Sequence, residues 1–197
     1  MPAFTLYGAR GSTNTDRVRL TLAEGGFADY KLVLINLQKG EQKPEQVICK
    51  YLAKKYCFLL LPPDSDREAT ALFEQAQSEE MSYFADPASK IAFEKFVKQK
   101  FMGLPPDETV VSGATRSIEA FFDLAERALQ HSDYMAGEDF TLVDIYYVPL
   151  IQRLFVCGYA DLILGRKAVS AWWNRVINRP VIQQVLTADK EAAKATQ

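Results

Sequence analysis

Histidine is almost missing from this chain of 197 residues: His131 is the only one, and there are three cysteines, Cys49, Cys57 and Cys157. One histidine leaves most metal centres without ligands and counts against a Ser-His-Asp hydrolase. No metal is therefore expected. The cysteine count is odd and the spacing fits no zinc pattern, so the thiols read as reduced, partly buried groups of a cytosolic protein. Net charge is only −2, with both signs interspersed. That leaves no basic stripe for nucleic acid and no acidic solvating arm. The first residues, "MPAFTLYGARGS", lack a basic segment followed by a long apolar core, so no signal peptide is expected. The longest aliphatic run, "FLLLPP", is far too short to span a bilayer. What remains is a globular mixture, long enough for one large or two small domains.

The chain opens on strand, helix, strand. "AFTLYG" reads as a short strand ending at Gly8. Residues 13–24 read as a helix, with Val18 and Leu22 at i, i+4 and Gly25-Gly26 as its stop. "YKLVLINL" is nearly all apolar, which fits a strand buried on both faces of a parallel sheet. A right-handed βαβ crossover follows from that order. "QKGEQKPE" is a polar loop, and "QVICKYLAKKY" a helix with Ile48, Tyr51, Leu52 and Tyr56 on one face. Pro62-Pro63 cannot continue a helix, so residues 58–65 read as a linker. Beyond it only helices are expected. One covers 66–85 (Leu72, Phe73, Ala76, Met81, Phe84) and breaks at Asp86-Pro87. Others cover 88–101 (Ile91, Phe93, Phe96, Val97) and 108–131 (Ile118, Phe121, Phe122, Leu124, Leu129). More follow, broken at Gly137, Gly158, Gly165 and Pro180, and the tail "ADKEAAKATQ" is expected to fray. The fold class is thus α/β followed by all-α, with boundaries at 1–57, 58–65 and 66–197.

Two local motifs stand out. In "DFTLVDIYYVP", Thr141 can cap a helix and Asp144 can reach back to the backbone, a structural capping box with Phe140 and Ile145 as a hydrophobic staple. In "YGARGSTNTDRV", Ser12 stands just before the first helix. From the residues alone it either caps that helix or presents its hydroxyl at the helix's positive end.

Taken together, "YGARGSTNTDRV", the "KGEQKPE" loop, the "ICKYLAKKY" helix, the proline linker and the helical half holding "FTLVDI" resemble a cytosolic glutathione transferase. The Ser-Thr pair and "PASKIAFEKFVKQKFMG" are most similar to the phi-like class of fungi and plants. The likeness runs from about residue 3 to residue 186. It implies a thioredoxin-like N-terminal domain and an all-helical C-terminal domain. It also implies cytoplasmic detoxification chemistry, in which glutathione, as co-substrate, attacks small hydrophobic electrophiles. Ser12 would then donate a hydrogen bond to the glutathione sulfur; a hydroxyl donor at a helix N-terminus favours the thiolate. Thr13 is a fallback donor. Gln42 and Lys43 would hold the glycine carboxylate of glutathione, and Val97, Phe101 and Phe122 would lie against the electrophile. Core packing is the alternative for these apolar residues, and a solvated loop for Gln42 and Lys43. The family's usual homodimer, with one subunit's sheet domain on the other's helical domain, is the implied assembly; neither nucleic acid nor membrane is an implied partner.

The resemblance fails in one place. After "KPE" a phi-like chain carries a short helix, a loop with a cis-proline, two antiparallel strands and a Glu-Ser motif. Here "KPEQVICKYLAKKY" joins the loop directly to the following helix. Residues 38–45 can reach about 27 Å extended, enough to cross three strand spacings of about 15 Å in all. The first strand would be left with an open edge, with "CFLLL" available to cover part of the gap. The loss also removes the clamps that position glutathione, which sets a second expectation beside the transferase: a non-catalytic, transferase-like binding protein. A thiol-disulfide oxidoreductase would need a cysteine where Ser12 stands.

Overall fold

The computed structural model describes residues 1–9, 11–35 and 45–194, and within these the chain forms two compact units, 1–61 with 177–197 and 62–176. The first unit holds β1 (Phe4–Gly8), α1 (Thr13–Glu24), β2 (Tyr30–Leu34) and α2 (Glu45–Lys55). The strands pair in parallel, Phe4 opposite Tyr30 through Gly8 opposite Leu34. As expected, α1 stops at the glycine pair: Gly26 takes φ 68° and the Phe27 N–H reaches back to the Leu22 carbonyl at 2.8 Å.

Several expectations change in this unit. β2 is not buried on both faces: Lys31 and Leu34 are exposed, and Leu32 and Val33 half-buried. Among the described residues the sheet has only two strands, so β2 has no second neighbour to cover it. On α2 the buried residues are Cys49, Leu52 and Ala53, while Tyr51 points to solvent. Phe58 and Leu60 are not linker residues but core. Phe58 lies so close to Gly25 that a Cβ there would land on its ring. Phe4, Phe27, Tyr30, Tyr56 and Phe58 form one aromatic cluster, Phe27 and Tyr56 at 4.2 Å between centroids. Phe58 reaches it through a left-handed residue after α2. Cys57 has φ 55°, and the Phe58 N–H donates to the Ala53 carbonyl at 2.9 Å. That is the helix-ending geometry usually given to glycine.

The last helix, α9 (Pro180–Lys194), belongs to this first unit rather than to the helical part. The Arg19 guanidinium joins Asp189 on α9 at 2.7 Å and Asp16 at 3.0 Å. Burial opposes the Arg19 charge, but these carboxylates more than offset it and raise its pKa. Arg179 clamps Glu24 through two hydrogen bonds. The segment from 188 is therefore helical to Lys194 instead of frayed, with Asp189 tied to Arg19.

The second unit is helical: α3 (Arg67–Glu79), α4 (Asp86–Ala92), α5 (Glu108–Ala128), α6 (Leu142–Val156), α7 (Asp161–Leu164) and α8 (Lys167–Ile177). α3 and α4 are not separated at Asp86-Pro87. A π-helical stretch, Glu80–Ala85, joins them, and another, Phe93–Met102, follows α4; the backbone stays right-handed at Glu80, Asp86 and Phe93. Proline lacks an N–H, and wider π turns absorb that loss without a break. Gly103, at φ 65°, ends the rod. Phe73, Ala76, Phe84, Ile91, Ile118, Phe121, Tyr147 and Trp172 fill the core, whereas Leu72, Met81 and Leu124, expected inside, are exposed. No helix among the described residues is long and apolar enough to cross a membrane.

The capping box at α6 forms as expected. The Thr141 hydroxyl accepts the Val143 N–H at 3.3 Å, and the Asp144 carboxylate accepts the Thr141 N–H at 2.9 Å. Asp144 also accepts from Trp172 Nε1 at 2.8 Å and the Met135 N–H at 3.1 Å. Burial pushes its carboxyl above the ordinary value while these donors pull against it. Phe140 packs edge-on to Tyr134, and Ile145 is fully buried.

Candidate functional site

The turn between β1 and α1 is built by close approach. β1 ends at Gly8, where a Cβ would collide with the Thr15 side chain. The Thr15 hydroxyl accepts the Ala9 N–H at 3.1 Å and so ties the turn to the first turn of α1. Gly11, at φ 74°, then places Ser12 at the N-cap with φ −81° and ψ 122°. The Ser12 N–H donates to the Ala9 carbonyl at 3.2 Å, and its own carbonyl accepts the Asp16 N–H at 2.9 Å.

The backbone of Ser12 thus starts the helix, yet its side chain makes no capping hydrogen bond. The half-buried hydroxyl stands at the positive end of a helix of twelve residues without serving it as a cap. Thr13 donates its hydroxyl to Asn14 Oδ1 at 3.5 Å, a long contact that leaves it oriented by its neighbour. The role of Thr15 was not read from the sequence. Its signal was available: a hydroxyl three residues after the N-cap, on the turn that faces back toward β1.

Gln42 and Lys43 lie outside the described residues. The three apolar candidates lie in the second unit and differ sharply. Val97 is half-buried and Phe101 is 65% exposed, both on the Phe93–Met102 stretch. Phe122 is 0% exposed, its ring packed on Phe84 and Phe121 at 5.7 and 5.2 Å. It has no surface to offer a ligand and acts through packing. Among the described residues no cluster of three His, Cys, Asp or Glu side chains could hold a metal, and Cys49, Cys57 and Cys157 form no disulfide.

A family model, the glutathione S-transferase C-terminal domain, matches residues 84–180. Glutathione S-transferase PM239X14 of Arabidopsis thaliana is 35% identical over 202 residues, covering 88% of this chain and 91% of the relative. That alignment is longer than the whole chain, so the relative carries residues with no counterpart here. Glutathione S-transferase hmp2 of Hypomyces subiculosus is 31% identical, covering 86% and 91%. Among solved structures, glutathione S-transferase I from maize, in complex with an atrazine glutathione conjugate, superposes with a TM-score of 0.85 at 26% identity, covering 94% of this chain and 97% of that one. A thioredoxin-like start with two strands among the described residues, the helical half that follows it in sequence and these relatives place the chain in the glutathione transferase family, in its phi-like class.

Proposed function

We propose that the chain binds glutathione at the N-terminus of α1 and transfers its sulfur to small hydrophobic electrophiles, as a cytoplasmic detoxifying homodimer. The observation that carries this reading is the Ser12 hydroxyl, placed at the helix start and not used as a cap. A thiol titrates near 8.5, and a hydroxyl donor together with a helix N-terminus lowers that value toward neutrality. The sulfur is then the nucleophile; Ser12 donates to it and takes no proton from it. The thiolate attacks the electrophilic carbon, the carbon–sulfur bond forms, and the displaced group leaves with the electron pair. Thr13 is a second donor, Gln42 and Lys43 hold the peptide carboxylate, and Val97 and Phe101 meet the electrophile over the core that Phe122 fills.

A second reading, a transferase-like protein that binds ligands without catalysis, is favoured by the sheet, which has two strands among the described residues. Positioning supplies much of the rate in such chemistry, so losing the clamps would weaken it steeply. Thermal unfolding with and without millimolar glutathione separates the two. A cooperative transition raised by glutathione is expected, because only a ligand bound to the native state stabilises it. A transition that glutathione leaves unmoved would exclude the transferase.

A further inference from the structure

Two ion pairs fasten the last segment of the first unit to α1, and they grip that helix at different levels. Arg179, just before α9, holds Glu24, the last residue of α1, through Nε at 2.9 Å and Nη2 at 2.7 Å. Further along, Asp189 accepts from Arg19 Nη1 at 2.7 Å. α9 packs on α1 and therefore runs antiparallel to it, toward its N-terminus.

The second grip reaches the first turn. The same Arg19 nitrogen donates to Asp16 Oδ1 at 3.0 Å. The Asp16 N–H in turn donates to the Ser12 carbonyl at 2.9 Å. Thr15, one position earlier, ties the same turn to Ala9 from the β1 side. Two neighbouring residues thus hold the turn that carries Ser12, one anchored between β1 and α1 and the other on α9. The Arg19 side chain is 10% exposed, so solvent screens this bridge less than a surface pair. Removing Asp189 takes the closest of these two carboxylates from a largely enclosed guanidinium, and the first turn is then free to shift with it.

We propose that Asp189 is a positioning residue for Ser12: through Arg19 and Asp16, α9 sets where the Ser12 hydroxyl meets the glutathione sulfur. This rests on the reading that glutathione sits at the N-terminus of α1, and it adds a residue of α9 to that site.

Calorimetric titration of the whole protein compares glutathione with S-methylglutathione, which has no ionisable thiol and gains little from Ser12. Asp189→Asn is expected to weaken glutathione about fivefold and S-methylglutathione less than about twofold. Asp189→Glu should restore the wild-type ratio of the two affinities. General loosening of the unit would weaken both ligands alike, and that result refutes the proposal. Arg179→Gln, which releases the last turn of α1, is expected to leave the ratio unchanged; a ratio altered as far as in Asp189→Asn would also refute it. Coupling is reciprocal, so glutathione should slow hydrogen exchange of the amides around Asp189 about fivefold in the wild-type protein. That measurement decides the matter if Asp189→Asn fails to fold, and amides left unprotected by glutathione overturn the positioning role. Wild-type protein that binds neither ligand would instead sink the transferase reading, and the positioning role with it.

Discussion

Replacing Ser12 by alanine separates helix capping from chemistry. A serine that caps a helix costs about 1 kcal/mol when removed. In this structure the hydroxyl makes no capping bond, and the turn is held by Thr15 on Ala9 and by the Ser12 carbonyl on Asp16, neither of which alanine touches. The stability loss should therefore stay below about 0.5 kcal/mol. The loss at bound sulfur should be larger. A hydrogen bond to an ionised group contributes about 1.5–3 kcal/mol. Removing it should raise the pKa of bound glutathione by about one to two units. At neutral pH kcat/KM should fall about 10- to 100-fold. Urea unfolding followed by far-ultraviolet circular dichroism, which reports on α1 and the other helices of the first unit, measures the first quantity; Trp172 and Trp173 both lie in the second unit. The ultraviolet absorbance of the thiolate against pH, with kcat/KM beside it, measures the second. A stability loss of 1 kcal/mol or more would refute the structural argument, and an unshifted thiol pKa would refute the chemical one. Thr13→Ala should change both quantities far less, unless it takes over when Ser12 is absent.

Asp144→Asn should destabilise the second unit by about 3 kcal/mol in urea unfolding. Three N–H donors converge on its two oxygens, and the amide would turn its own NH2 toward one of them. Cys57→Gly should raise stability by about 1 kcal/mol, because glycine adopts the left-handed conformation at no steric cost; differential scanning calorimetry reads the shift. The Glu94 carboxyl is held below its ordinary value first by the Asp107 N–H and then by Lys98. Its contribution is therefore complete above the ordinary carboxylate range and is lost as pH falls through the lowered value. Acid unfolding of Glu94→Gln should lack that part of the decline, and an unchanged acid limb would count against the pairing.

Sequence alone determined what rests on neighbours a few residues apart. The capping box is legible because Thr141 and Asp144 are three residues apart and complete each other on one turn. The ends of α1, the βαβ order and the register of α5 follow from glycine, from apolar period and from caps in the same way. Even the site was half legible: the Ser-Thr pair marks a helix start, but whether the hydroxyl caps depends on its rotamer and on Thr15, which a residue string does not contain.

Only the tertiary structure decided what distant chain segments do. Arg19 and Asp189 are 170 positions apart, and their pairing makes α9 part of the N-terminal unit. The Asp144 carboxylate gains Trp172 from 28 residues away. Phe58 leaves an apparent linker for the core because Gly25 offers a flat seat, and an apolar β2 remains partly exposed because, among the described residues, its sheet has two strands. Local hydrogen bonds and periodicity are written in adjacent residues. Burial and long-range charge pairing depend on which surfaces the folded chain brings together, and that is fixed only once every segment has competed for the same core.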